Sequence, residues 1–249
     1  IGLLFPQLQE IRSRIKSELP LIDPEHIVMS STHTHSGPDV VGIWGKDLAH
    51  SGVNDKHMQL IVDRAVEAIK EAFSAKKSVT ISYGNGSFGE DWVKNISEPG
   101  ELDRSVSVIK FSDQNGKNIA TLTNFACHPT IMDDTSTAAS SDYVWGYYTY
   151  LDAAQGGVNM FLQGAIGGWV QPEGVPHTYD QAKHYGTTLG KYVFELPKGK
   201  NTSKNLSFAS TKVDFPLANP GFQMLSKSGI IKRNFGKTVS SEIAVFSIG

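Results

Sequence analysis

Cysteine is nearly absent from the sequence, since Cys127 is the only one among 249 residues. A single cysteine excludes an intramolecular disulfide and a zinc site built from several thiolates. It leaves the cellular compartment open, because many exported proteins contain no disulfide at all. The fold is therefore expected to form without a disulfide framework.

Long apolar runs and an excess of either charge are also missing. No apolar segment approaches the roughly 20 residues that a membrane-spanning helix needs. The formal net charge is −2 and the basic residues are scattered, so no positive field exists to attract nucleic acid or anionic lipid. With 39% hydrophobic residues, we expect a globular chain with a sizeable core, no transmembrane segment and no nucleic-acid partner.

The sequence also lacks an initiator methionine and a signal peptide. It begins inside the apolar stretch 1–5 and ends on the strand-like run 243–249. We therefore expect a fragment, in which residues 1–249 form a single catalytic domain that is incomplete at both ends. These features carry no information on the oligomeric state.

Hydrophobic periodicity predicts that helices alternate with strands. Apolar residues three and four positions apart predict helices at residues 6–18, 54–75, 143–154 and 178–195. Runs rich in β-branched residues predict strands at 26–32, 78–89, 105–112, 117–126, 158–162, 206–214 and 239–248. The Asn115-Gly116 pair predicts a hairpin between the third and fourth of these strands. The pattern indicates an α/β fold with a mixed sheet covered by helices.

Polar and glycine-rich segments follow three of the predicted strands, at residues 33–38, 128–130 and 163–172. Ligands of α/β proteins collect at the carboxyl ends of strands. We therefore expect the strand-end loops to form a site. The glycines at 164–168 do not match the spacing of a phosphate-binding loop, and we interpret them as a turn that lines a pocket and can offer N–H groups to an oxyanion.

Histidines supply the candidate metal ligands. His33 and His35 would point to the same face of a strand and converge on one point, because side chains alternate along a strand. Imidazole is a common zinc ligand, although two such histidines can also be structural. His128 lies at another predicted strand end. Asp142 precedes a predicted helix, where it is either the N-cap or a residue that orients a histidine.

Four segments together resemble the neutral/alkaline non-lysosomal ceramidases, in their N-terminal catalytic domain. They are residues 27–38, which contain Thr-His-Thr-His-Ser-Gly-Pro, then 124–130 with His-Pro-Thr, 141–143, and 161–165. Their order and spacing cover most of residues 1–172. The Thr-His-Thr-His-Ser-Gly-Pro string is highly specific, and His-Pro-Thr at the matching distance makes a chance match improbable.

The resemblance implies a zinc-dependent hydrolase that cleaves the N-acyl amide of ceramide-like lipids. It implies that Zn²⁺ is held by His33 and His128 and that His35 lies near the metal-bound water. On this basis we expect His35 to be catalytic, by stabilising the developing oxyanion or relaying a proton, and Asp142 to orient one of the histidines. It further implies Glu and Tyr ligands from a later segment that this sequence does not include, so we expect weak zinc binding and little activity from this piece alone. Relatives are commonly exported, to the periplasm, the medium or the cell surface.

Two positions depart from the family pattern. Gly168 and Gln171 stand where family members place an acidic residue and an active-site serine, so ceramide specificity does not follow from the resemblance. The departures favour a second hypothesis, a non-catalytic cell-surface binding protein that keeps the fold. Two other metal folds with His-x-His motifs are disfavoured, because Gly37 replaces the Asp of metallo-β-lactamase-like proteins and His128 lacks the further ligands of an amidohydrolase barrel.

Overall fold

The computed structural model describes residues 2–47, 49–132, 136–196, 198–201, 203, 205–229 and 236–248. The chain forms two compact units. One comprises Ser30–Gly37 and Lys77–Thr202, and the other comprises Ile1–Met29, Pro38–Lys76 and Ser203–Gly249. The first unit contains all four residues that the sequence predicted as a site, and it is called the sheet unit below.

The sheet unit is built on a mixed sheet, as predicted. Its strands are β1 (Thr80–Ser87), β2 (Val93–Asn95), β3 (Ser105–Ser112), β4 (Asn118–Phe125), β5 (Val158–Gln163), β6 (Val170–Pro172) and β7 (Gly199–Asn201). Five of these described strands are ordered β5-β4-β3-β1-β7, and β2 pairs separately with β6. Only the β4–β5 pair among the described ladders is parallel. The predicted hairpin is confirmed as the antiparallel β3–β4 pair.

Two helices of the sheet unit, α3 (Tyr143–Ala154) and α4 (Tyr179–Glu195), pack closely on each other. Glycine makes this approach possible, because a Cβ added at Gly186 would lie 1.8 Å from the Tyr143 carbonyl oxygen. The core combines aromatic side chains of these helices with alternate residues of the central strands. Its fully buried members include Val106, Phe125, Tyr143, Tyr147 and Leu189.

The other unit contains α1 (Phe5–Glu18), a 3₁₀ turn at Pro24–His26, α2 (Asp55–Ser74), β8 (Leu206–Pro216), α5 (Pro220–Lys227) and β9 (Thr238–Ile248). Five buried aliphatic residues on α1, on α2 and after the 3₁₀ turn form its core: Ile11, Ile15, Ile27, Val62 and Val66. Strands β8 and β9 form an antiparallel pair. The Arg12 guanidinium of α1 donates two hydrogen bonds to the Glu242 carboxylate of β9, at 2.7 and 2.8 Å, and ties the helix to this pair.

The predicted strand at 26–32 is wrong. His26 ends the 3₁₀ turn, and residues 27–34 run outside any sheet ladder. The run is rich in β-branched residues, but Val28 is half exposed and only Ile27 is buried. The short strands β2, β6 and β7 and helix α5 were not predicted, because segments of three to eight residues carry too few periodic positions to stand out.

Candidate metal site

Three histidines converge in the sheet unit. The ring centroids of His33, His35 and His128 lie 5.0 to 5.4 Å from one another. One ligand nitrogen from each ring lies within 4.8 Å of the other two. The structure therefore brings together the three histidines that the sequence singled out, but the strand argument for His33 and His35 needs correction. His33 has a φ of +68°, so strand alternation does not bring His33 and His35 together.

His128 is held by the backbone of the glycine-rich segment. Its main-chain N–H donates to the Val170 carbonyl at 2.8 Å, and its ring Nδ1 lies 2.7 Å from the same oxygen. A carbonyl only accepts hydrogen bonds, so Nδ1 carries the proton and the Nε2 lone pair is left for a ligand. This arrangement is the usual way in which a protein fixes a metal-binding imidazole.

The segment that carries His33 and His35 is fastened on two sides. Thr34 donates from Oγ1 to the Ser140 carbonyl at 2.8 Å, and the Ser140 N–H donates to the Ser36 carbonyl at 2.9 Å. The His35 N–H also donates to the Pro129 carbonyl at 3.4 Å. The polar residues between and after the histidines therefore lock the loop.

Gln163 is a site residue whose role the sequence did not reveal. At the end of β5, its Nε2 donates to the carbonyls of Thr32 and Cys127, both at 2.9 Å. These residues directly precede His33 and His128. Its Oε1 accepts from the Cys127 N–H at 3.1 Å. One side-chain amide thus joins the two segments that bear the ligands, which no sequence spacing predicts.

Backbone strain concentrates at this site. Among the described residues, the non-glycine positions with positive φ are His33 at +68°, Asp142 at +56° and Trp169 at +67°. Such conformations cost of order 1–3 kcal/mol each and persist where the surrounding structure over-determines them. Their grouping around the three histidines supports a functional role for this part of the sheet unit.

Asp142 is buried, and its carboxylate anchors backbone. It accepts hydrogen bonds from the N–H groups of Ile131 at 3.1 Å, Met132 at 2.8 Å and Tyr143 at 2.8 Å. The last contact is the N-cap of α3, which was one of the two roles considered for this residue. Because Ile131 follows His128 closely, Asp142 also positions the ligand loop. A direct catalytic role stays a prediction.

His33 and His128 are held in the neutral form that metals bind. Burial lowers the pKa of His33 to about 4, and the nearby charges that His128 and His35 would carry add to this shift. Burial also lowers the pKa of His128. Neutral imidazoles at pH 7 present lone pairs to a metal without first losing a proton. By contrast, burial raises the pKa of the Cys127 thiol well above its ordinary value, so this cysteine is a packing residue and not a nucleophile.

Trp169 is a second residue that the sequence did not single out. Its indole stacks on the His128 ring with centroids 5.1 Å apart and an interplanar angle of 27°. It also meets the His35 ring edge-on at 6.0 Å. The side chain remains 50% exposed. An aromatic residue inside a glycine-rich loop could have been a signal, but its position over the ligands is visible only in three dimensions.

The glycine-rich segment also borders a cavity, as predicted. The cavity has a volume of about 600 Å³, and Gly167, Gly168 and the carboxylate residues Glu98, Glu101 and Asp103 line it. The segment was also expected to offer N–H groups to an oxyanion. The Gly164 N–H does not do so, because it donates to the Phe125 carbonyl at 3.0 Å.

The donor set fits a zinc ion. Three neutral imidazoles are a known ligand set for catalytic zinc, which keeps a further position for water or substrate. Here one imidazole has its tautomer fixed by a carbonyl, and the three lie close enough to share one ion. His33 and His128 face each other at 5.0 Å, with His35 as a third candidate ligand or neighbour.

Comparison with known proteins gives a consistent family signal. The model for neutral/alkaline non-lysosomal ceramidase, N-terminal, matches residues 7–155. The neutral ceramidase of Pseudomonas aeruginosa is 26% identical over 164 residues, which are 60% of this chain and 24% of that protein. Neutral ceramidase A of Dictyostelium discoideum is 29% identical over 168 residues, 57% of this chain and 23% of that protein.

Solved structures give the same fold. The crystal structure of neutral ceramidase from Pseudomonas aeruginosa matches with a TM-score of 0.69 at 22% identity, over 83% of this chain and 37% of that one. A structure of ceramidase complexed with C2 matches with a TM-score of 0.71 at 20% identity, over 83% of this chain and 36% of that one. The chain spans about a quarter of the length of its sequence relatives.

Proposed function

Because this chain belongs to the neutral/alkaline non-lysosomal ceramidase family, we propose that it carries part of the active site of a zinc-dependent hydrolase that cleaves N-acyl amides. The observation that carries the proposal is the convergence of His33, His35 and His128. Ceramide-like lipids are the proposed substrate class, since the named relatives are neutral ceramidases. Residues 1–249 would together form one catalytic domain.

In this mechanism His33 and His128 would hold the ion. A bound zinc acts as a Lewis acid toward an amide carbonyl and lowers the pKa of water near neutrality. His128 keeps its ligand nitrogen oriented through the Nδ1 contact with the Val170 carbonyl. Gln163 keeps the two ligand segments at a constant separation through its contacts with Thr32 and Cys127. Such preorganisation matters, because small displacements of catalytic groups cost large factors in rate.

His35 is the proposed proton carrier and oxyanion stabiliser. Its ring lies 5.4 Å from that of His128 and 5.3 Å from that of His33, which supports this role, because a substrate carbonyl at the metal would then lie next to His35. A neutral imidazole can take a proton from the attacking water and return it to the leaving amine. Amide cleavage needs both transfers, since an unprotonated amine is a poor leaving group.

A non-catalytic binding protein is the second candidate, and one feature favours it. A Cβ added at Gly168 would lie 2.7 Å from the Asn95 side-chain nitrogen, and the φ of Gly168 is +71°. An acidic side chain at this position would have to displace the buried Asn95 amide, whose Oδ1 accepts from the Ser97 and Glu98 N–H groups. Against this candidate, the three histidines and their supporting contacts are intact.

Export is proposed on the family resemblance alone. None of the helices among the described residues is long and apolar enough to cross a membrane. An exported protein would then bind its lipid substrates at a membrane surface, in micelles or as monomers. The partner in each case is a small molecule or a single lipid.

The experiment is an amide-hydrolysis assay on the full-length gene product. The panel contains N-acyl amides and matched esters, and released amine is measured with and without a zinc chelator. We expect amide cleavage that chelation and His33→Ala both abolish. Absence of cleavage by protein that retains zinc would refute the hydrolase and support the binding protein.

A further inference from the structure

The backbone at Trp169 is strained and firmly held. Its φ is +67°, a region in which a bulky residue is an outlier. Two hydrogen bonds fix the backbone on either side of this conformation. The Gly168 carbonyl accepts from the Ser97 N–H at 3.0 Å, and the Trp169 carbonyl accepts from the Ile96 N–H at 3.2 Å. Glycine would adopt this conformation without strain. A tryptophan at such a position indicates that its side chain has a function.

Packing of the fold does not explain that side chain. The indole is 50% exposed, and its ring neighbours are His128 at 5.1 Å and His35 at 6.0 Å. It therefore covers one candidate metal ligand and leaves a broad apolar surface in water beside the site. Binding sites for organic ligands are lined by apolar and aromatic surface of this kind.

Resting on the proposed function, we propose that Trp169 is the specificity-determining residue for the acyl group of the substrate. The exposed indole is the wall against which a neutral, apolar acyl chain lies while its carbonyl reaches the histidine cluster. The loop's other neighbours support a neutral chain, since Glu98, Glu101 and Asp103 line the cavity next to Gly167 and Gly168. An acyl chain that ends in a carboxylate would be repelled there.

The size of the effect follows from apolar burial. Each methylene removed from water contributes about 0.8 kcal/mol, which is roughly fourfold in kcat/KM when the contact is made in the transition state. We therefore expect kcat/KM to rise with acyl length until the chain exceeds the indole. Trp169→Ala should flatten this rise and lower kcat/KM for a hexanoyl amide by about tenfold, with the acetyl amide little affected.

The test compares acetyl, hexanoyl, dodecanoyl and 6-carboxyhexanoyl amides of one amine. The variants are Trp169→Ala, Trp169→Phe and the control Trp145→Ala, which removes a similarly exposed indole on α3. Zinc content is measured for each. We expect Trp169→Phe to restore most of the length dependence and Trp145→Ala to keep all of it. An unchanged length dependence in zinc-loaded Trp169→Ala would overturn the proposal.

A binding measurement separates this proposal from the proposed function. Dodecanamide is titrated into the protein and tryptophan fluorescence is followed. We expect a saturable change in the wild type that Trp169→Phe removes and Trp145→Ala keeps. If the wild type hydrolyses no amide, the proposed function fails, and this titration still decides the Trp169 assignment. A change that persists in Trp169→Phe would overturn it.

Discussion

Replacing Asp142 by asparagine exchanges one carboxylate oxygen for an NH₂ group at a point where three backbone N–H groups converge. One oxygen accepts from Ile131 and Tyr143, and the other accepts from Met132. The substitution keeps the size of the side chain and its tolerance of positive φ. The change therefore acts on hydrogen bonding and charge.

The expected cost follows from the contacts that are lost. Turning the amide so that its oxygen keeps the Ile131 and Tyr143 bonds leaves the Met132 N–H facing a donor. Hydrogen bonds to a charged group contribute about 1.5–3 kcal/mol, and a buried N–H without an acceptor costs about 1–3 kcal/mol. We expect Asp142→Asn to lower the free energy of unfolding by about 2–4 kcal/mol.

Urea unfolding, followed by tryptophan fluorescence, measures this loss. The control is Thr178→Ala, which removes the N-cap of α4 in the same unit and should cost about 1 kcal/mol. Zinc affinity should also fall in Asp142→Asn, because the loop after His128 loosens. A loss no larger than that of Thr178→Ala would refute the anchoring role and return Asp142 to the catalytic hypothesis.

Three further predictions concern stability. Glu242→Ala should lower the free energy of unfolding in urea by about 1.5–3 kcal/mol, because the buried Arg12 guanidinium loses its two hydrogen bonds to Glu242 and keeps only the more distant Glu25 carboxylate, at 3.5 Å. Arg12 lowers the pKa of Glu242 below its usual 4.5. The difference in unfolding free energy between wild type and Glu242→Ala should therefore be full above pH 4.5 and shrink as the pH falls through the lowered pKa. A free-energy difference that stays constant from pH 7 to pH 3 would contradict this. Gly186→Ala should cost about 3 kcal/mol, since its Cβ meets the Tyr143 carbonyl, and wild-type stability would show that the helices can separate freely. The free energy of unfolding of Trp169→Gly should stay within about 1 kcal/mol of the wild-type value, because relief of backbone strain offsets the lost stacking. A larger loss of stability would show that Trp169 is a core residue.

Much of the fold was predictable because its long elements are strongly periodic. Helix α2 follows its apolar stripe, and Asn54 caps it by accepting a hydrogen bond from the His57 N–H. The β3–β4 hairpin forms at Asn115-Gly116, a pair that favours the required turn. Local chemistry decides such elements, so the sequence suffices for them.

The histidine cluster was predictable from the sequence, and its geometry was not. Histidines near strand ends identified the cluster, but His33 reaches it through a left-handed backbone conformation. Gln163 and Trp169 act through contacts with segments far away in sequence. Long-range contacts of this kind leave no periodic or spacing signal in a single sequence.

The most direct test of the account is the zinc content per chain of the full-length gene product, measured by elemental analysis after dialysis. Wild type is compared with His33→Ala and His128→Ala. The control is His177→Ala, which removes a histidine whose Nδ1 also contacts a backbone carbonyl, that of Ile131 at 2.8 Å, but which is not in the cluster. We predict about one zinc per chain in wild type and His177→Ala, by the single shared site, and almost none in the other two variants. One zinc per chain retained by His33→Ala and His128→Ala would contradict the metal site.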